Sequence, residues 1–320
     1  MEEGRVESSN KQACFPGDLA VLDEAVKVLD SSLAQIKWRL KPSTKRRLEL
    51  DILALSTGMR PVVMVDYGGK MPELQHHLCS LLELCLKLSP VFELLRVMII
   101  QDMIYLIHIK GLAEHVRSTL NSEVKLVFVD LEQEPPQMIT EIEKSPLALQ
   151  LISIQKLFSS IFTHEGIHNL SSSQGTEPMD NSQSTCCQIF YSQSTECIDL
   201  SNCMKDSKVT VPTLNGWLLG YPVVYLFSKE HIADAIYNLS TKYLHIFQLS
   251  ICRNHTLKKE SQAEELLSFS VPYDLSTRGS SEKWAESFMA HMRAKWERCA
   301  YAWKFLKMEV DECHPQAIVL

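Results

Sequence analysis

With 320 residues, 45% hydrophobic and 22% charged, the chain can bury one large core or two smaller ones and is too apolar to be disordered throughout. Its net charge of −7 supplies no overall positive field, which argues against nucleic acid or an anionic membrane as the partner. Ten cysteines without a CxxC pair, and a polar acidic start (MEEGRVESSNKQACFPGD) with no signal-peptide pattern, set the expectation of a cytoplasmic or nuclear protein that is not secreted.

Residues 1–17 read as a flexible N-terminus. Asp18 can cap a helix in which Leu19, Leu22, Val26, Leu29, Leu33, Ile36 and Leu40 recur at spacings of three and four. Pro42 ends that stripe. Ser43 or Thr44 then starts a second helix that runs to about Thr57 and closes at Gly58, giving a helical hairpin. Pro61–Asp66 reads as a strand stopped by Tyr67-Gly68-Gly69, and Pro72–Leu88 as a helix.

Leu95–Gln101 and Met103–Ile109 read as two strands joined at a tight turn near Asp102. The apolar run that contains them is interrupted by Arg96, Gln101, Asp102 and His108. It cannot supply the roughly 20 apolar residues of a membrane span, so no membrane association is expected. A helix over Gly111–Leu120, a strand over Val124–Asp130 and a helical stretch to about Ile161 follow.

From His164 to Lys208 the sequence is dominated by Ser, Gln, Asn and Thr and has no helix or strand period, so 164–208 is expected to be a disordered polar insert. Asn215-Gly216 between the apolar runs Val209–Leu214 and Trp217–Phe227 predicts a β-hairpin, because a tight hairpin turn needs positive φ at both positions. Lys229–Leu239 reads as a helix, and Tyr243–Ile251 and Glu264–Val271 as strands. Trp284, Phe288, Met292, Trp296, Cys299, Trp303 and Leu306 predict one long final helix over Ser281–Val310, leaving 311–320 as a C-terminal tail.

Residues 18–163 and 209–310 are thus expected to form one discontinuous globular domain. About eight strands without regular βαβ alternation predict an α+β fold: a mixed, mostly antiparallel sheet covered by helices.

The segments Leu214-Asn-Gly-Trp-Leu-Leu-Gly-Tyr-Pro-Val-Val-Tyr225 and Trp284-Ala-Glu-Ser-Phe-Met-Ala-His-Met-Arg-Ala-Lys-Trp-Glu-Arg298 resemble an uncharacterised vertebrate family, the homologues of human chromosome 1 open reading frame seventy-four. The resemblance implies a domain of unknown function and carries no catalytic motif onto particular residues.

Several constellations point to chemistry. His164, Glu165 and His168 match HExxH, which on a rigid helix places two imidazoles on a zinc ion with the Glu as general base. Gly166 and the Ser-rich continuation weaken that helix. Asp66 and Asp130 each follow an apolar strand. As parallel neighbours they could share a divalent metal for phosphate-ester hydrolysis, whereas separately each would cap a turn. Ser173, Ser182 and Ser192 each precede Gln and are candidate phosphorylation sites. Cys186, Cys187, Cys197 and Cys203 match no standard zinc spacing and read as free thiols.

Two basic groups stand out. Lys37, Arg39, Lys41, Lys45, Arg46 and Arg47 surround the Pro42 break and read as a solvated hairpin turn. His291, Arg293, Lys295, Arg298, Lys304 and Lys307 interleave with tryptophans that belong to the core stripe. The resulting expectation is a non-catalytic intracellular adaptor with an unidentified protein partner and no cofactor. The alternative is a metal-dependent phosphate-ester hydrolase using Asp66 and Asp130, and only that reading requires a divalent metal.

Overall fold

The computed structural model describes residues 19–162, 190–191, 197–254 and 262–318. Helix α1 (Leu19–Ile36) buries Leu22, Ala25, Val28, Leu29 and Leu33, the stripe read from the sequence. Pro42 occupies the first turn of α2 (Pro42–Ser56), where its missing N–H has no helical partner to lose. Gly58, at φ +75°, closes α2 in the left-handed conformation that only glycine adopts without strain.

The central sheet has the order β1 (Val62–Met64), β3 (Met103–His108), β2 (Leu95–Ile100), β7 (Cys197–Asp199), β6 (Phe190–Tyr191). The β2–β3 hairpin turns at Gln101 and Asp102, as expected, and β2 pairs parallel with β7. Both faces of this sheet are covered, so β2 and β3 are apolar without alternation. Leu95, Val97 and Ile99 share a core with α1, α2 and α3 (Glu73–Leu88). Met98 and Ile100 share another with α4 (Ile109–Leu120), α5 (Pro146–Ile161) and α6 (Val211–Leu218).

A second sheet runs β5 (Gln137–Met138), β4 (Val127–Asp130), β8 (Val223–Leu226), with β4 and β8 parallel. Phe128 and Val224 join the α4–α6 core, while Val129 and Val223 face a third core. That third core is closed by α7 (Ile232–Ser240), α8 (Lys283–Arg298) and a sheet ordered β10 (Ala263–Pro272), β9 (Leu244–Arg253), β11 (Trp303–Cys313). The fold is α+β, but three small sheets replace the single sheet expected. Among the described residues, no helix is long and apolar enough to cross a membrane.

The expected hairpin over 209–227 is instead α6 followed by β8. Thr210 Oγ1 accepts the Thr213 N–H at 3.4 Å as an N-cap, and Pro212 lies in the first turn. Leu214, Trp217 and Leu218 form one buried face. Gly216 serves close packing here and makes no turn: a Cβ would lie 3.3 Å from Val224 Cγ1. The left-handed residue is Gly220, at φ +76°, after the helix.

The expected final helix stops at Arg298, and the chain returns as β11. Leu306, Met308 and Val310 alternate with Lys307, Glu309 and Asp311, which is the strand period. Trp296, Cys299, Trp303 and Leu306 do share a core, but they reach it from a helix, a turn and a strand. The expected tail therefore begins after Cys313. Residues 197–208, expected in the insert, belong to the core: Cys197, Ile198, Leu200 and Met204 are buried. The rest of the expected insert falls outside the described residues, apart from the short β6, as does the expected N-terminus.

Candidate functional site

Two helix faces border a cleft of about 490 Å³. From α4 and the strand end before it come His108, Lys110, Gly111, Glu114, His115 and Ser118, residues three and four apart on one face. From α8 come His291, Ala294, Lys295 and Arg298, followed by Cys299 and Tyr301. Thr57, Gly58 and Pro61, at the end of α2, complete the wall.

His108 is the N-cap of α4: its Nδ1 accepts the Gly111 N–H at 3.0 Å. His115 Nε2 lies 2.9 Å from the Trp217 carbonyl oxygen. A carbonyl only accepts, so Nε2 carries the proton and Nδ1 is the free lone pair of a neutral ring. Trp217 in turn donates from Nε1 to Thr119 Oγ1 at 3.1 Å, which ties α6 to α4 beneath the cleft.

The electrostatics of the cleft are those of a cationic site. Burial lowers His108 to about 4, and Lys110 adds to the effect. Burial, with repulsion from Lys295, likewise lowers His115 to about 4. His291 reaches about 4 through burial and then through Lys295 and Arg298. The Lys295 ammonium, half-buried, is itself lowered to about 8 by burial, against the attraction of Glu114 and with the repulsion of Arg298 and Arg60. Burial also raises the Cys299 thiol to about 12, and its Sγ donates to the Lys295 carbonyl at 3.2 Å.

Among the described residues no carboxylate lies within ion-pair distance of Lys110, Lys295 or Arg298. Glu123, on the cleft rim, is paired with Arg117 at 3.0 Å. Three cations therefore border one cavity, with Glu114 as the opposing charge.

A second cleft, of about 590 Å³, opens at the C-terminal ends of β4 and β8, and most of its acidic groups already have partners, while Lys208 and Glu230 on its lining make no ion pair among the described residues. Asp130 Oδ1 accepts the Glu132 N–H at 2.8 Å, and Glu132 Oε1 accepts the Ser228 N–H at 2.7 Å. Glu141 pairs with Lys144, and His231 Nδ1 meets Asp234 at 2.7 Å. The second cleft is lined by more carboxylates than cations, whereas the α4–α8 cleft gathers three cations, which favours the latter as an anion site.

The profile of a family described as "Domain of unknown function (DUF4504)" matches residues 30–320. The chain belongs to this family. No curated protein and no solved structure matches it. The match therefore places the DUF4504 chain among its relatives without assigning any residue a role.

Of the residues singled out in the sequence, Asp66 follows β1 in the central sheet, whereas Asp130 ends β4 in the second. Their strands are not parallel neighbours: β1 pairs with β3, and β4 pairs with β5 and β8. Asp130 forms a turn contact, and Asp66 is exposed and outside both clefts. His164, Glu165, His168, Ser173, Ser182 and Ser192 lie outside the described residues. Among those described, no group of three or more His, Cys, Asp or Glu is placed to hold a metal ion.

The basic run around Pro42 forms the exposed turn between α1 and α2, with Lys37, Arg39, Lys41 and Arg46 open to solvent, and three of its six residues make ion pairs within the DUF4504 fold. Lys45 pairs with Asp30 at 2.8 Å, Arg46 with Glu264, and Arg47 with Asp51 at 3.1 Å. The basic residues of the last helix do reach the site: His291, Lys295 and Arg298 all line the cleft. Their counterparts His108, Lys110 and His115 carry no local sequence signal, because only packing brings α4 against α8.

Proposed function

We propose that this DUF4504 chain is a non-catalytic intracellular interaction protein, a homologue of human chromosome 1 open reading frame seventy-four, that binds a phosphate- or carboxylate-bearing small molecule between α4 and α8. The observation that carries the reading is the convergence of Lys110, Lys295 and Arg298 on one cavity of about 490 Å³ with no ion-pair partner among the described residues. That volume suits a small organic ligand, since such pockets span roughly 300–1,000 Å³. An anion entering it replaces repulsion among the three cations with attraction.

A binding role also fits the ionisation states. Cys299, held at about 12, is a protonated thiol and a poor nucleophile at neutral pH. Lys295, at about 8, is mostly ammonium there and serves an anion better than it serves amine chemistry. The hydrolase alternative needs Asp66 and Asp130 on neighbouring parallel strands and finds no support in their placement.

Thermal melting of the full chain against a panel of phosphorylated and dicarboxylic metabolites tests the reading. A member of the panel raises the Tm of the wild type, and the shift disappears in Lys110→Met/Arg298→Gln. A panel without effect, or a shift that survives the double substitution, overturns it.

A further inference from the structure

Both edges of the β10-β9-β11 sheet carry long strands, and the molecule treats them differently. The β10 strand is plugged by side chains: Arg47 donates to the Glu265 carbonyl at 2.8 Å, Arg60 to the Leu266 carbonyl at 3.0 Å, and Tyr225 Oη to the Ser270 carbonyl at 2.6 Å. Beyond the irregularity at its start, the outer edge of β11 runs from Phe305 to Cys313 with no strand beside it among the described residues. Trp296 Nε1 caps the Trp303 carbonyl at 3.1 Å, and no other described segment makes a backbone bond along the edge. Such an edge is a template for another strand.

We propose that the free edge of β11 pairs antiparallel with β11 of a second copy about a two-fold axis at Met308, joining the two sheets into one. In this register Lys307 lies opposite Glu309 of the second copy, Leu306 opposite Val310, Met308 opposite itself, and Phe305 opposite Asp311. A two-fold interface makes every such pair occur twice.

The register is selected by charge. Sliding the strand by one residue puts core-facing side chains opposite solvent-facing ones and is excluded. Centring the axis on Lys307 sets Lys307 against Lys307, and centring it on Glu309 sets Glu309 against Glu309. Like charges directly opposed destabilise a pair of strands. Within each copy Lys307 Nζ and Glu309 Oε1 already meet at 2.6 Å, with side chains 63% and 48% exposed, so they stand on one face ready for a second pair. The dimer closes them into a ring of four alternating charges. Leu306, Met308 and Val310, only partly buried against the third core, gain cover from the second copy.

Charges on an edge strand also serve simply to keep it unpaired, and charge reversal separates the two roles. Sedimentation velocity of the full chain over a concentration series should show reversible conversion to twice the 36.5 kDa chain mass. Lys307→Glu and Glu309→Lys each place like charges opposite one another twice and should weaken the dimer about tenfold or more. Together they restore opposite charges, and Lys307→Glu/Glu309→Lys should return to within about threefold of the wild type. A wild type that stays monomeric at every concentration, single variants that dimerise like the wild type, or a double variant as weak as the singles would each overturn the proposal.

Discussion

Replacing Lys295 with methionine should make the protein more stable while removing anion binding. Burial is the main cause of the low Lys295 value of about 8; Glu114 on α4 opposes it, and Arg298 and Arg60 reinforce it. An ordinary lysine titrates near 10.4, so at about 1.4 kcal/mol per pH unit the cost of holding the proton is bounded at ~3 kcal/mol. The unfolded chain holds this proton more tightly than the native one. The penalty is therefore fully present below pH 8 and is lost as the pH rises from there to the ordinary lysine range.

Lys295 is only half-buried, and screening by water reduces the bound to a gain of about 1–2 kcal/mol for Lys295→Met at neutral pH. Methionine keeps most of the aliphatic stem, so packing changes little. Urea denaturation at pH 7 and pH 10 measures the effect: the variant has the higher midpoint at pH 7, and the gap narrows at pH 10. A variant less stable than the wild type at pH 7, or a gap that does not change with pH, would show that the Lys295 ammonium carries no burial penalty.

Two further substitutions test the architecture around the site. Asp51, 1% exposed, accepts from Arg47 Nε at 3.1 Å and Tyr67 Oη at 2.7 Å. Asp51→Ala removes the partner of the Tyr67 phenol and the counter-charge of Arg47, which keeps its bond to the Glu265 carbonyl, and should cost about 2–4 kcal/mol in urea denaturation; a loss below about 1 kcal/mol would show the network to be dispensable. Asn215 Oδ1, presented from the helix over 211–218, accepts from the fully buried Tyr105 Oη at 2.6 Å. Asn215→Ala should cost about 1–3 kcal/mol, and adding Tyr105→Phe should cost little more. Additive losses from the two substitutions would contradict that geometry.

What could be read from the sequence was what is local. The α1 stripe from Leu22 to Leu33 and the turn at Gln101-Asp102 depend on neighbours a few residues away, and both are present as expected. The pairing of β2 with β7 and of β4 with β8 joins distant parts of the chain, and no local pattern encodes it. Asn215-Gly216 misled because glycine has two uses. Positive φ was expected, and a close approach to Val224 is what the fold requires. Half of the cleft was visible as basic residues on the last helix. The other half depends on His108 and His115, whose importance comes from what packs opposite them.

Isothermal titration of the full chain with the panel member that gives the largest thermal shift shows whether the ligand sits between α4 and α8. The comparison is wild type, Lys295→Met, and Lys144→Met, whose lysine lines the other cleft. The α4–α8 site predicts binding near neutral pH that weakens as Lys295 loses its proton above pH 8. It also predicts loss of binding in Lys295→Met and none in Lys144→Met. Affinity unchanged by Lys295→Met, or abolished by Lys144→Met, would place the ligand outside the α4–α8 cleft.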